Sequence, residues 1–215
     1  MHEHARQAPT AWEPRMARAN ALTIFAQKFT GLLIQWRRKK MPLSIYQLSI
    51  PTFLRGLAIA GEYCRKASAF CTERGISPST LIDARLAPDM LPFAGQIQRI
   101  SDTSKRPTAR LAAIAPPRYE DNERTFPELH LRLEKTSEFL KSISPPQLDG
   151  APSRVIESKL PSGGAEYLPA ETYLLIRALP NFYFHLVTAH DILRHMGVSV
   201  GKRDYLFLPG EVEGK

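Results

Sequence analysis

The chain has 215 residues, with 29 Lys and Arg against 21 Asp and Glu, and 43% of its residues are hydrophobic. That apolar fraction excludes a chain disordered throughout, and the length suits one domain of roughly 150–200 residues with additions at its ends. The net charge of +8 is lopsided: residues 1–40 hold eight basic and two acidic groups, a net of +6, and the remaining 175 hold 21 basic against 19 acidic, a net of +2. A body so nearly balanced gives no strong case for nucleic-acid binding, because long-range attraction needs clustered positive charge.

Residues 1–14 are polar, contain Pro9 and Pro14, and read as a disordered end. From Arg15 to Trp36 the residues Leu22, Phe25, Phe29, Leu32, Leu33 and Trp36 recur at helical spacing, and Arg37-Arg38-Lys39-Lys40 closes an amphipathic helix. Gln27, Lys28 and Gln35 interrupt its apolar run, so no transmembrane segment is expected. An acid-poor, Arg-bearing start suggests a mitochondrial transit peptide, yet residues 1–40 contain no serine. A surface-lying or disordered arm fits as well. A secretory signal is excluded, since the positive charges follow the apolar stretch. The expected location is the cytoplasm, with mitochondrial targeting through residues 1–40 as the alternative.

Leu43, Tyr46, Gln47, Ile50, Leu54, Leu57, Gly61, Cys64, Ala67 and Cys71 predict a long helix to Arg74, stopped by Gly75 and marked by a kink or a late start at Pro51. Cys64 and Cys71 would lie ~10.5 Å apart on it, too far for a disulfide, and read as two buried thiols in a reducing compartment. Ser77-Pro78 opens a short helical turn through Ala84. A second long helix is expected over 89–113, interrupted by Pro92 and Pro107, and 116–124 is a loop. Thr125 with Glu128 forms a capping box that starts a third helix through Ile143. Residues 153–168 alternate at period two around Pro161-Ser162-Gly163-Gly164, which predicts a β-hairpin. Pro169 and Glu171 open the last long helix, which runs to Met196 with Gly197 beyond it and a kink expected at Pro180. Long amphipathic segments joined by short links give an all-α fold, an up-and-down four-helix bundle with a small hairpin before its last helix.

His185, His190 and His195 point three ways on that last helix, so they form no helical metal pair. Asn181, His185 and Thr188 do share a stripe, flanked by apolar faces. Polar groups on an inward face cost stability unless they meet partners, so the stripe reads either as a pocket between helices with His185 as ligand or acid/base, or as a core histidine holding a neighbouring helix. Asp191 and His195, and His190 and Arg194, are spaced for i,i+4 pairing. Asp89 either favours a helix start or offers a carboxylate toward His185, with Arg85 as its ion-pair partner. No phosphate-binding glycine loop, Cys-x-x-Cys, His-Glu-x-x-His or nucleophile elbow occurs, so kinase, dehydrogenase and ordinary hydrolase chemistry has no residues to stand on.

Met41-Pro42-Leu43-Ser44-Ile45-Tyr46, Arg85-Leu86-Ala87-Pro88-Asp89-Met90, Leu179-Pro180-Asn181-Phe182-Tyr183-Phe184-His185, Asp191-Ile192-Leu193-Arg194-His195 and Gly201-Lys202-Arg203-Asp204-Tyr205 resemble, in order and over about residues 41–206, a family of unknown function, DUF1993. That family is grouped with the DinB/YfiT-like superfamily of metalloenzymes. The resemblance implies a four-helix bundle over 41–206, a basic extension over 1–40 and a tail over 207–215. The extension is then lineage-specific, a targeting segment or an upstream start. The superfamily often holds a divalent metal with one histidine from an earlier helix and a later His-x-x-x-His, and some members are thiol-dependent transferases or isomerases. His185 matches the first of the later pair and Ala189 stands at the second; the earlier-helix position falls nearest Asp89, so the three-histidine pattern is incomplete. The expected site comprises Asp89, Asn181, Tyr183, His185 and Thr188, with His185 and Asp89 as the metal candidates. The expected function is binding of a small molecule or a weakly held divalent metal, with group-transfer chemistry. A non-catalytic interaction module, and contact of the basic arm with nucleic acid or membrane, are the alternatives, and a homodimer is compatible with each.

Overall fold

The computed structural model describes residues 43–160 and 162–207, so the expectations for residues 1–40 and for most of the tail lie outside the described residues. Among the described residues, four helices are longer than fifteen residues. α1 spans Ile45–Arg74, and a four-residue turn of helix, α2, covers Ser79–Ile82. α3 spans Phe93–Ala112, α4 spans Phe126–Lys141, and a short α5 covers Pro145–Asp149. A 3-10 turn at Ala151–Ser153 leads into strands β1, Val155–Lys159, and β2, Ala165–Pro169. α6, Ala170–Tyr173, continues through a π-helical turn at Leu174–Ala178 into α7, Leu179–His195, and α8 covers Lys202–Leu206. The chain is thus mostly helical with one antiparallel hairpin, in which Ile156 faces Leu168 and Lys159 faces Ala165.

Local chemistry sets most of these boundaries. Ser44 caps α1 and exchanges bonds with Gln47, and Thr125 does the same with Glu128 at α4. Gly75, at φ 64, ends α1 in the left-handed region that glycine reaches without strain. Pro51 sits within α1, and the helix begins before it. α3 begins at Phe93, not at Asp89: Pro92 holds the entry extended at φ -69 and ψ 172, and a proline also disfavours helical geometry in the residue before it. At Pro180 the ring would collide with the carbonyl four residues back in a regular helix. The π turn lies just before it and widens the helix there.

α1 packs against α4 and α7, and α3 packs against the same two. The core runs between them through Phe53, Leu57, Tyr63, Ile97, Leu129, Phe182 and Leu186, all at most 1% exposed. α1 and α7 approach closely at Gly56, where an added Cβ would lie 2.4 Å from the Phe182 ring. α8 is fastened back by the Lys66–Asp204 ion pair, and Asp204 also accepts from the Gly201 N–H at 2.8 Å. That gives the Gly201-to-Tyr205 segment a structural role. Cys64 and Cys71 are free and buried, and no helix among the described residues is long and apolar enough to cross a membrane.

Candidate functional site

α7 turns an apolar face inward through Phe182, Leu186, Ala189 and Leu193, which leaves His185 at the edge of that face toward α3. Its Nδ1 lies 2.7 Å from Gln96 Oε1. Gln96 is buried, and its Nε2 donates to the Leu91 carbonyl at 3.0 Å. The second bond fixes which end of the amide faces His185. Because Gln96 presents oxygen, Nδ1 must carry the proton and donate, and the neutral ring then keeps its lone pair on Nε2. Burial, followed by the nearby Arg99 guanidinium, holds the His185 pKa down to about 4. Near neutral pH the ring is uncharged, in one tautomer, with Nε2 as an acceptor.

The other expected site residues are not gathered around it. Asn181 is exposed, and the Thr188 hydroxyl bonds back to the Phe184 carbonyl at 2.7 Å, within its own helix. Tyr183 is 38% exposed and meets the Phe182 ring edge-on, with the centroids 5.7 Å apart. Asp89 is exposed in the turn before α3 and forms no ion pair with Arg85 or any other described residue. Gln96, one turn into α3, is what meets His185. His190 turns to α1 instead, with Nδ1 3.1 Å from the Tyr63 hydroxyl, and burial lowers its pKa. The expected pairs 190/194 and 191/195 are absent among the described residues: Arg194 reaches the Val200 carbonyl at 3.1 Å, and Asp191 and His195 are exposed.

A three-histidine metal centre does not fit these donors. Ala189 is buried at the place of the second histidine, His190 is committed to Tyr63, and no group of three His, Cys, Asp or Glu among the described residues is placed to share an ion.

A charged interior between α3 and α4 has no counterpart among the sequence-predicted sites. Asp102 and Arg132 are each 3% exposed and Lys105 is 1% exposed. Lys105 bonds Asp102, which also pairs with Arg106 at 2.8 Å, Arg132 at 3.2 Å and Arg99 at 3.3 Å. Arg132 reaches Glu123 and Asp121, each at 2.9 Å. The ring of Tyr119 covers both cations, 4.3 Å from Lys105 Nζ and 5.5 Å from Arg132 Cζ. Burial opposes the Asp102 charge, but the Lys105 bond and the surrounding cations outweigh it, so its pKa falls. Lys105 has one close anion and two cations for neighbours, and burial with that repulsion pulls its pKa below the usual lysine value. The available signal was composition: from Ser101 to Arg110 α3 has no large aliphatic or aromatic residue, so a helix flanked on two sides had to bury polar ones.

The family model described as Domain of unknown function (DUF1993) matches residues 45–206. Among solved structures, a DinB family member protein from Shewanella denitrificans is similar at 33% identity with a TM-score of 0.70, over 76% of this chain and 92% of that one. No protein of curated function matches.

Proposed function

The chain belongs to the family Domain of unknown function (DUF1993), and from that premise we propose an up-and-down four-helix bundle that binds a small molecule between α3 and α7 through His185. The observation that supports this reading is the His185–Gln96 pair, with the amide oriented by the Leu91 carbonyl. A ring held by its Nδ1 proton presents Nε2 in a fixed direction, which suits a ligand that donates a hydrogen bond. The pKa of about 4 favours binding over catalysis. So weak a base takes little part in proton abstraction near neutral pH. The role of His185 is therefore recognition, with no base step assigned. No metal enters it, since the donors do not fit one.

The same bond joins α7 to α3, which favours the competing reading of a purely structural pair. Ring 15N shifts of His185 separate the two, with phenol and acetamide as small donor probes. Binding through the ring moves the Nε2 resonance, leaves Nδ1 protonated, and is lost in Gln96→Leu. An unmoved Nε2 signal, with His185→Ala costing about 1–3 kcal/mol for the unpaired buried amide, would leave only the structural role. A proton found on Nε2 would remove the proposal's basis.

A further inference from the structure

The 116–124 loop and α4 form a concave site. A cavity of about 360 Å³ opens beside the charged interior, and Arg118, Tyr119, Glu120, Glu123, Arg132 and Lys135 contribute to its wall. Glu128 lies on it as well, so the wall carries three cations and three carboxylates. Their internal commitments differ. Glu128 accepts the backbone N–H groups of Arg124 at 2.8 Å and Thr125 at 3.0 Å, as the cap of α4. Glu123 accepts from Gln98 and Arg132, each at 2.9 Å, and Glu120 from Asn122 at 3.1 Å.

Two of the three cations are uncommitted. Arg118 and Lys135 are exposed and make no hydrogen bond or ion pair with any described residue. Arg132, by contrast, is 3% exposed and held by Asp102, Asp121, Glu123 and the Glu120 carbonyl. Two cations without an internal partner, Arg118 and Lys135, thus stand on one wall beside Tyr119 and the side chain of Leu131.

We infer that this cavity is an anion site, which takes a small molecule bearing a carboxylate or phosphate group. Arg118 and Lys135 hold the anion, and the apolar part of the ligand lies against Tyr119 and Leu131. The three carboxylates of the wall limit affinity and set a size filter: only an anion small enough to stay clear of them is accepted. The site stands apart from His185, on the α4 side of α3, and does not rest on the proposal made for that residue.

Calorimetric titration of the full chain with inorganic phosphate and with succinate, at constant ionic strength, tests the assignment. At least one anion binds saturably, at one per chain. In Arg118→Gln/Lys135→Gln its affinity falls by about tenfold or more, with the melting temperature of the anion-free protein unchanged, because neither side chain carries an internal bond. Arg37→Gln/Arg38→Gln, which reduces the charge of the basic arm, leaves the affinity as it was. Absence of saturable binding by both anions, equal binding by the cavity variant, or loss confined to the arm variant would each overturn the assignment.

Discussion

Replacing Asp102 by asparagine removes one charge and almost no volume, so the energetic consequence comes from the cations left behind. Arg99 and Arg106 have side chains 28% and 56% exposed and can turn toward water. Arg132 keeps Asp121 and Glu123. Lys105, with its side chain 2% exposed, has no second anion. Breaking a buried pair costs about 3–5 kcal/mol. Shedding the lysine proton sets a ceiling: from an unfolded value of about 10.4, neutralisation at pH 7 costs about 4.6 kcal/mol at about 1.36 per unit. Asp102→Asn is therefore expected to lose about 3–4.5 kcal/mol at pH 7. At a urea dependence of roughly 2 kcal/mol per molar, the midpoint falls by about 1.5–2.3 M. The sign of the pH effect follows from the lysine. Lys105 already holds its proton less tightly than a free lysine, and less tightly still without Asp102, so the unfolded chain binds more protons as pH rises toward the ordinary lysine value and variant stability climbs over that window, by at most about 1.4 kcal/mol per unit. Lys105→Met in the same background abolishes the climb and restores most of the loss. Urea unfolding of the three proteins at pH 7 and 9.5 measures all of this. A loss under about 1 kcal/mol at pH 7, or the same loss at both pH values, would refute the view that Asp102 is what keeps Lys105 charged inside the protein.

Three further outcomes follow from the packing. The His185 ring should titrate near pH 4 by NMR; a midpoint near 6.5 would contradict its burial beside Arg99. Because that pKa is depressed, the ring's contribution to stability is complete above pH ~6.5 and fades as pH falls toward 4, so the difference between wild type and His185→Asn should shrink over that window. Gly56→Ala gains about 1 kcal/mol in helix propensity but drives a methyl into the buried Phe182 ring, an overpacking of about 1–3 kcal/mol, and should lower the melting temperature; Phe182→Leu in that background should recover part of the loss. Burial pushes the Cys64 thiol up to about 12 and raises Cys71 as well, so thiol reagents should label either only as fast as the native protein opens, and prompt stoichiometric labelling would contradict the core packing.

What could be read from the sequence was what neighbouring residues settle between themselves. The reciprocal caps Ser44–Gln47 and Thr125–Glu128, the left-handed Gly75, and the turn glycines Gly163 and Gly164 at φ 84 and 83 each act over a few residues. The site was legible only on its α7 side. His185 stood out as a polar residue at the edge of an apolar helix face, but its partner lies 89 residues away and is an uncharged glutamine that no spacing rule selects. The Arg85–Asp89 motif drew attention to the turn before α3 instead. The charged interior was hidden for a related reason: Gln98, Asp102, Lys105 and Arg106 look like a solvated helix face, and only the return of Arg132 and the 116–124 loop encloses them. The π turn left no local signature beyond Pro180.

That turn has a consequence for how the chain tolerates insertions and deletions. A π turn fits one more residue into a helix than the regular geometry does, so from Leu179 onward each side chain is rotated by about 100° from where an uninterrupted helix would aim it. The segment before the turn and the segment after it are therefore phased separately, α6 to the hairpin and α7 to α1 and α3. Adding or removing residues at the hairpin tip, around Gly163 and Gly164, leaves both phases intact. Deleting a single residue from Leu174–Ala178 restores the regular helix, and the lost residue cancels the 100° offset, so Phe182, Leu186 and His185 keep their aim; deleting one within Leu179–His195 has no such offset to cancel and turns the side chains on either side of it apart. The chain can thus vary in length at its hairpin and by one residue at this turn, while the regular helix that follows holds the count of residues fixed.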